Sequence, residues 1–167
     1  MAITEKFHKI SLLKAGALTG TAKSLTTDLT TTLTDYSFGA NNDLWGATLS
    51  VAEVNDSEFG FGVSFIGAGA SGANYTSKYL CGKNFGFAIP AGSTINGVVA
   101  TVRVNYLKPS GHSWYYAYVD SLSCTVYYSA AAAGPALLKT VNGLAKASVK
   151  TRNGLAIASI KSWDGLA

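Results

Sequence analysis

Side chains able to carry out chemistry are sparse: 167 residues hold two histidines, two cysteines and nine carboxylates. His8 sits in Lys6-Phe-His-Lys9 and His112 in Pro109-Ser-Gly-His-Ser113. Neither has a second His, Cys or carboxylate at metal-ligand spacing, and neither has an evident partner to orient it as a catalytic base. Asp56 and Glu58 are close, but Asn55-Asp56-Ser57 reads as a turn whose polar side chains serve the backbone. A glycosidase pair would have to be assembled from carboxylates distant in sequence. Cys81 and Cys124 make no disulfide framework. Cys124 alternates with Leu122 and Val126, so both thiols read as inert core groups of a protein assembled in a reducing compartment. The glycine-rich stretch from Gly67 to Asn74 lacks the Lys-Ser/Thr ending of a phosphate-binding loop, and no helical pattern follows it. The expectation is a non-enzyme with no cofactor and no metal.

Surface recognition is the remaining chemistry. Ser113-Trp-Tyr-Tyr-Ala-Tyr118 could stack on sugar faces or anchor a protein interface. Alternation sends Trp114, Tyr116 and Tyr118 inward and leaves Tyr115 as the outward candidate. Trp45 begins a run that alternates through Ala47, Leu49 and Val51, so it reads as core. Charge is scarce, at 13% of residues, and uneven. Residues 1–23 carry four lysines and one glutamate, residues 24–130 four basic and seven acidic groups, and residues 131–167 five basic groups and one aspartate. Nucleic acid is one partner for basic ends. The ends are also apolar and hold no arginine cluster, which favours soluble strand edges or an acidic protein neighbour. No apolar run approaches the roughly 20 residues that span a bilayer, and no signal peptide is read at the start.

The elements that must position these groups follow from periodicity. Residues 1–24 mix lysine with Phe7, Ile10 and Leu12 and read as an extended arm that docks elsewhere, with Lys6, Phe7 and Lys9 as contacts. Leu25 to Leu33, rich in threonine, reads as a strand, as do the alternating runs 45–52, 58–65, 85–89, 98–106 and 118–128. On one face of the last run lie Tyr118, Leu122, Cys124, Val126 and Tyr128. Pro90 and Gly92 set a turn, and Gly97 permits close packing at the start of the next strand. Short strands with glycine-rich turns and no amphipathic helix predict an all-β protein. Its expected form is an antiparallel, jelly-roll-like β-sandwich over residues 25–130.

A linker over 131–137 leads to a tail, 138–167, built on an 11-residue repeat. Leu138-Lys-Thr-Val-Asn-Gly-Leu-Ala-Lys-Ala-Ser148 is followed by Val149-Lys-Thr-Arg-Asn-Gly-Leu-Ala-Ile-Ala-Ser159 and a shortened copy from Ile160 to Ala167. Asn142-Gly143, Asn153-Gly154 and Asp164-Gly165 are the dipeptides of two-residue type I′ hairpin turns. Such turns set Val141 opposite Leu144, Arg152 opposite Leu155, and Trp163 opposite Leu166. Every Lys and Arg of the repeats then falls on one side. The register also sets Lys139 opposite Lys146, a like-charge cost that a solenoid with each turn as a corner would relieve. About 30 residues make too small a core to stand alone, so the tail should pack on a neighbour or on copies of itself. Leu144, Leu155, Trp163 and Leu166 are the candidate contacts, with Trp163 a terminal plug.

The phrase Phe85-Gly-Phe-Ala-Ile-Pro-Ala-Gly-Ser-Thr-Ile-Asn-Gly97, followed by Val119-Asp-Ser-Leu-Ser-Cys-Thr-Val-Tyr-Tyr128, resembles β-sandwich modules of tailed-bacteriophage and prophage structural proteins. The resemblance covers roughly residues 79–129, and the Asn-Gly-Leu-Ala tail resembles short C-terminal repeats on such proteins. It implies a virion component assembled in a host cytoplasm, and no binding residue carries over from it. The leading expectation is a capsid decoration or cement protein that binds the shell and neighbouring copies through its ends, as a homo-oligomer taken to be a trimer. The alternative is a tail-tip, baseplate or fibre component whose sandwich binds host glycan. Nucleic acid and membrane are not expected partners.

Overall fold

The computed structural model describes residues 5–68, 74–107 and 116–131, and the backbone alone of 140–141, 144–145, 151–152 and 155–156. The chain divides into two compact units, Met1–Ser129 and Ala130–Ala167. In the first unit two antiparallel sheets curl over one core as a half-barrel, an all-β, sandwich-like fold. One sheet runs β2 (Ala17–Lys23), β1 (Glu5–Lys14), β4 (Gly60–Ala68), with β5 (Asn74–Thr76) and β6 (Leu80–Lys83) sharing the far edge of β4. The other is the ladder β3 (Thr34–Gly39), β7 (Thr94–Leu107), β8 (Tyr116–Ser129).

Strand β1 corrects the reading of residues 1–24 as a docking arm. It is an interior strand, flanked by β2 and β4, and Phe7, only 2% exposed, packs on Tyr36, Phe38 and Phe65. The alternation hides this because Phe7 and Ile10 are three residues apart. A bulge at His8 repairs the parity: Phe7 pairs with Phe65, then Ile10 with Val63 and Leu12 with Phe61, all on the core face. Strand β8 carries a similar bulge at Asp120, where Arg103 pairs with Ser121 and Val104 with Val119. Ala117 and Val119 therefore turn inward along with Leu122, Cys124 and Val126. Tyr116 and Tyr118, expected inward, are 41% and 47% exposed instead, and Tyr128 is exposed as well.

Three expected strands are not strands. Between β2 and β3 the threonine hydroxyls bond locally, Thr30 and Thr34 each donating to the Thr32 carbonyl at 2.7 and 3.0 Å, which competes with a ladder. Leu29 is buried, and its N–H donates to the Glu5 carbonyl at 2.7 Å. Trp45 is core, as expected, but stands in a left-handed turn (φ 58°): its N–H donates to the Asp43 carboxylate at 2.7 Å and its indole N–H to the Val98 carbonyl at 2.9 Å. Val51 to Val54 form the one-turn helix α1, started by a capping box between Ser50 and Glu53. From Phe85 to Ile89 the extended run is broken by φ values of +59° at Asn84 and +71° at Gly86. Phe85 still stacks on Phe61 at 5.8 Å, and Phe87 meets Phe59 edge-on at 6.1 Å.

Gly92 has φ +81° at the third position of a turn that the Ser93 N–H closes on the Pro90 carbonyl at 3.2 Å, where a type II turn requires a positive φ. Gly97 answers to a close approach rather than a turn, since a Cβ there would strike the backbone of Ala40 and Asn41.

In the second unit, β9 (Thr140–Val141) pairs with β10 (Leu144–Ala145), and β11 (Thr151–Arg152) with β12 (Leu155–Ala156). Val141 stands opposite Leu144 and Arg152 opposite Leu155, the register a two-residue turn imposes. The turn residues Asn142, Gly143, Asn153 and Gly154 lie outside the described residues, as do Asp164, Gly165, Trp163 and Leu166.

Candidate functional site

The contacts expected at the start of the chain serve the sandwich itself. Lys6 meets Asp28 at 3.3 Å and ties the β2–β3 connection to β1, and Phe7 is core because the His8 bulge turns it inward. Lys9 is exposed on β1, and its carbonyl accepts from the Ser64 hydroxyl at 3.4 Å. Tyr115 lies outside the described residues, and only the backbones of Leu144 and Leu155 are described. Among the described side chains, the expected contacts Lys6, Phe7 and Lys9 are not brought together in one site.

A different set is. The start of β1, the β4–β5 hairpin and the start of β8 enclose an open, mostly apolar groove of about 300 Å³. Phe65 lines it from β4 and Ala117 from β8, while Tyr75, 64% exposed, and Tyr116 supply aromatic rings from β5 and β8. Thr76 and Ser77 add hydroxyls, and the Glu5 carboxylate completes the lining. Glu5 pairs with Gly67, and a Cβ on Gly67 would collide with the Glu5 carboxylate, so the glycine makes its room. Burial pushes the Glu5 carboxyl above its ordinary range.

Among the described acids without an ion pair, Asp35 and Asp56 are exposed and Glu5 is half-buried. Asp28, Asp43, Glu53, Glu58 and Asp120 each meet a lysine or arginine within 3.5 Å. Among the described residues no cation or hydrogen-bond donor reaches the Glu5 carboxylate. Asp43 is held low by the Lys23 ammonium and the Trp45 N–H. Glu53 is held down to about 2 by the Ser50 N–H, the Ser50 hydroxyl and Lys14. Asp56 accepts the Glu58 N–H at 2.7 Å, a turn contact of the kind its sequence suggests. The thiols also differ. Cys124 is packed between the sheets, and burial pushes it up to about 12, whereas Cys81, expected in the core, is exposed on the edge strand β6. No group of three or more His, Cys, Asp or Glu able to hold a metal occurs among the described residues.

The sequence pointed to Tyr115 and missed Tyr75 and Glu5. Tyr75 was legible only as an isolated aromatic after a glycine-rich loop, and Glu5 only as the single acid in a basic segment. Compared with protein-family models, curated proteins and solved structures, the chain finds no match in any of the three.

Proposed function

We propose that the chain is a non-enzymatic structural component of a tailed-phage or phage-like particle, and that it assembles with neighbouring polypeptides through its repeat unit. A head-associated decoration or cement role, with copies joined as a homo-oligomer, is the leading form of the proposal. The observation that carries it is the pair of repeat hairpins, each built from two-residue strands in one register. Two-stranded ribbons of this size are marginal in water and gain stability only by adding strands or covering a face. The position within a phage particle rests on the sequence resemblance over residues 79–129. The docking arm no longer contributes, which leaves the C-terminal unit and the exposed side of β8 as the surfaces for assembly.

Size-exclusion chromatography with light scattering, on the full chain and on residues 1–129, tests the proposal. The full chain is expected to run as an oligomer, taken as a trimer, or to bind purified shells, and the truncation to do neither. Identical monomers that both ignore shells would overturn it. A tail-tip or fibre position is the second reading, favoured by the outward Tyr75 and Tyr116 in one shallow groove. Binding to cell-surface glycan, unaffected by the truncation, would decide for it.

A further inference from the structure

The groove between β1, β5 and β8 has a composition that selects its ligand. Its described lining is rich in π faces and offers a carboxylate that only accepts hydrogen bonds. Its side-chain donors are hydroxyls alone, on Tyr75, Thr76, Ser77 and Tyr116. The Ser77 hydroxyl is already engaged, donating to the Lys78 carbonyl at 2.9 Å and accepting the Phe65 N–H at 2.8 Å. No lysine, arginine, asparagine or glutamine is among the described residues that line it. Such hydroxyls serve a neutral sugar and an amine alike, so the carboxylate is the group that discriminates. An ammonium group only donates, is attracted to aromatic faces, and is matched by a carboxylate.

Charge arithmetic within the first unit points the same way. Five of its eight described carboxylates have a basic side chain within 3.5 Å, and Asp35 and Asp56 are exposed to water, whereas Glu5 is half-buried with no cation reaching it among the described residues. Leaving a carboxylate partly desolvated and unmatched costs stability, and an arriving cation removes that cost. The groove volume is at the low end for small-molecule sites, which run from roughly 300 to 1,000 Å³, and it suits a single side-chain head.

We propose that this groove binds the ammonium head of a lysine side chain presented by a protein partner, with Glu5 as counter-charge and Tyr75 and Tyr116 as its aromatic walls. The described lining belongs to the first unit, so the proposal can fail while assembly through the repeats stands.

The test is an NMR titration of the full-length isotope-labelled chain with the capped peptide acetyl-Ala-Lys-Ala-amide, following the backbone amides of Tyr75, Thr76 and Tyr116. Saturable shifts are expected at these amides. Binding is expected to weaken at least about tenfold in Glu5→Gln, and likewise in Tyr75→Ala, whose exposed ring can be removed without opening the core. The Ala-Gln-Ala peptide should shift nothing. The proposal is overturned if the lysine peptide produces no shifts, or if Glu5→Gln binds it unchanged. It also fails if methyl glucoside or the glutamine peptide binds as well as the lysine peptide, because the ligand is then neutral. Tighter binding by glucosamine than by the lysine peptide would overturn the protein source of the amine.

Discussion

Strand β7 runs for 14 residues between two partners, whereas each described strand of the repeat unit runs for two and has one. Both regions are antiparallel, and both take their register from turns and pairing. What separates them is the third dimension. The sandwich sets two sheet faces against each other, and Ile10, Leu12, Phe61, Val63, Val98 and Val102 lose all contact with water. The described hairpins have no second layer within their own ladders. Turn chemistry can specify a hairpin, but burial of apolar area is needed to make it persist.

The sharpest way to break the comparison is to cut the core. Phe61→Ala removes a fully buried ring that stacks on Phe85 and should cost the sandwich about 3–5 kcal/mol in a urea titration. Leu144→Ala should leave the sandwich midpoint unchanged and act only on assembly. If Leu144→Ala lowers that midpoint as well, the two units do not unfold separately.

A smaller effect is expected at the cap of α1. Ser50→Ala removes the side chain that accepts the Glu53 N–H and should cost about 1 kcal/mol at neutral pH. Glu53 is the depressed carboxyl of that box, so its stabilisation is present above the ordinary value of 4.5 and fades as pH falls toward about 2. The gap between wild type and Ser50→Ala should therefore narrow over that window. A gap that stays constant with pH would remove Glu53 from the account.

The smallest effect is at Glu5 and has the opposite sign. Its carboxyl is raised by burial, so the folded state takes up the proton first and the sandwich gains stability as pH falls below the folded value toward 4.5. Glu5→Gln should raise the melting temperature at neutral pH by about 1 °C, since the group is half exposed and well screened. That gain should vanish in acid. A loss of stability at neutral pH would mean the carboxylate has a partner in the fold, and the cation site would lose its ground.

Legibility along the chain followed the regularity of pairing. Phe59, Phe61, Val63 and Phe65, and Val98 to Val104, alternate without interruption, and each run proved to lie in or beside a strand with those residues inward. Where a bulge intervened, the sequence misled: His8 hid β1 as an interior strand, and Asp120 reversed the expected faces of Tyr116 and Tyr118. A single inserted residue shifts parity by one, and nothing local announces it. The candidate groove was illegible for a related reason. Glu5, Tyr75 and Tyr116 come from three strands, and only the folding of one sheet edge toward the other brings them to one place.

The amino-acid order by itself determined the all-β class, the apolar faces of β4 and β7, and the pairing of Val141 with Leu144 and Arg152 with Leu155, because alternation and Asn-Gly turns act over neighbouring residues. Tertiary structure alone decided that β1 sits between β2 and β4, that Trp45 turns left-handed to reach the Val98 carbonyl, and that Glu5, Tyr75 and Tyr116 line one groove. Those outcomes depend on which distant strands meet, and burial free energy selects that arrangement only when the whole core closes.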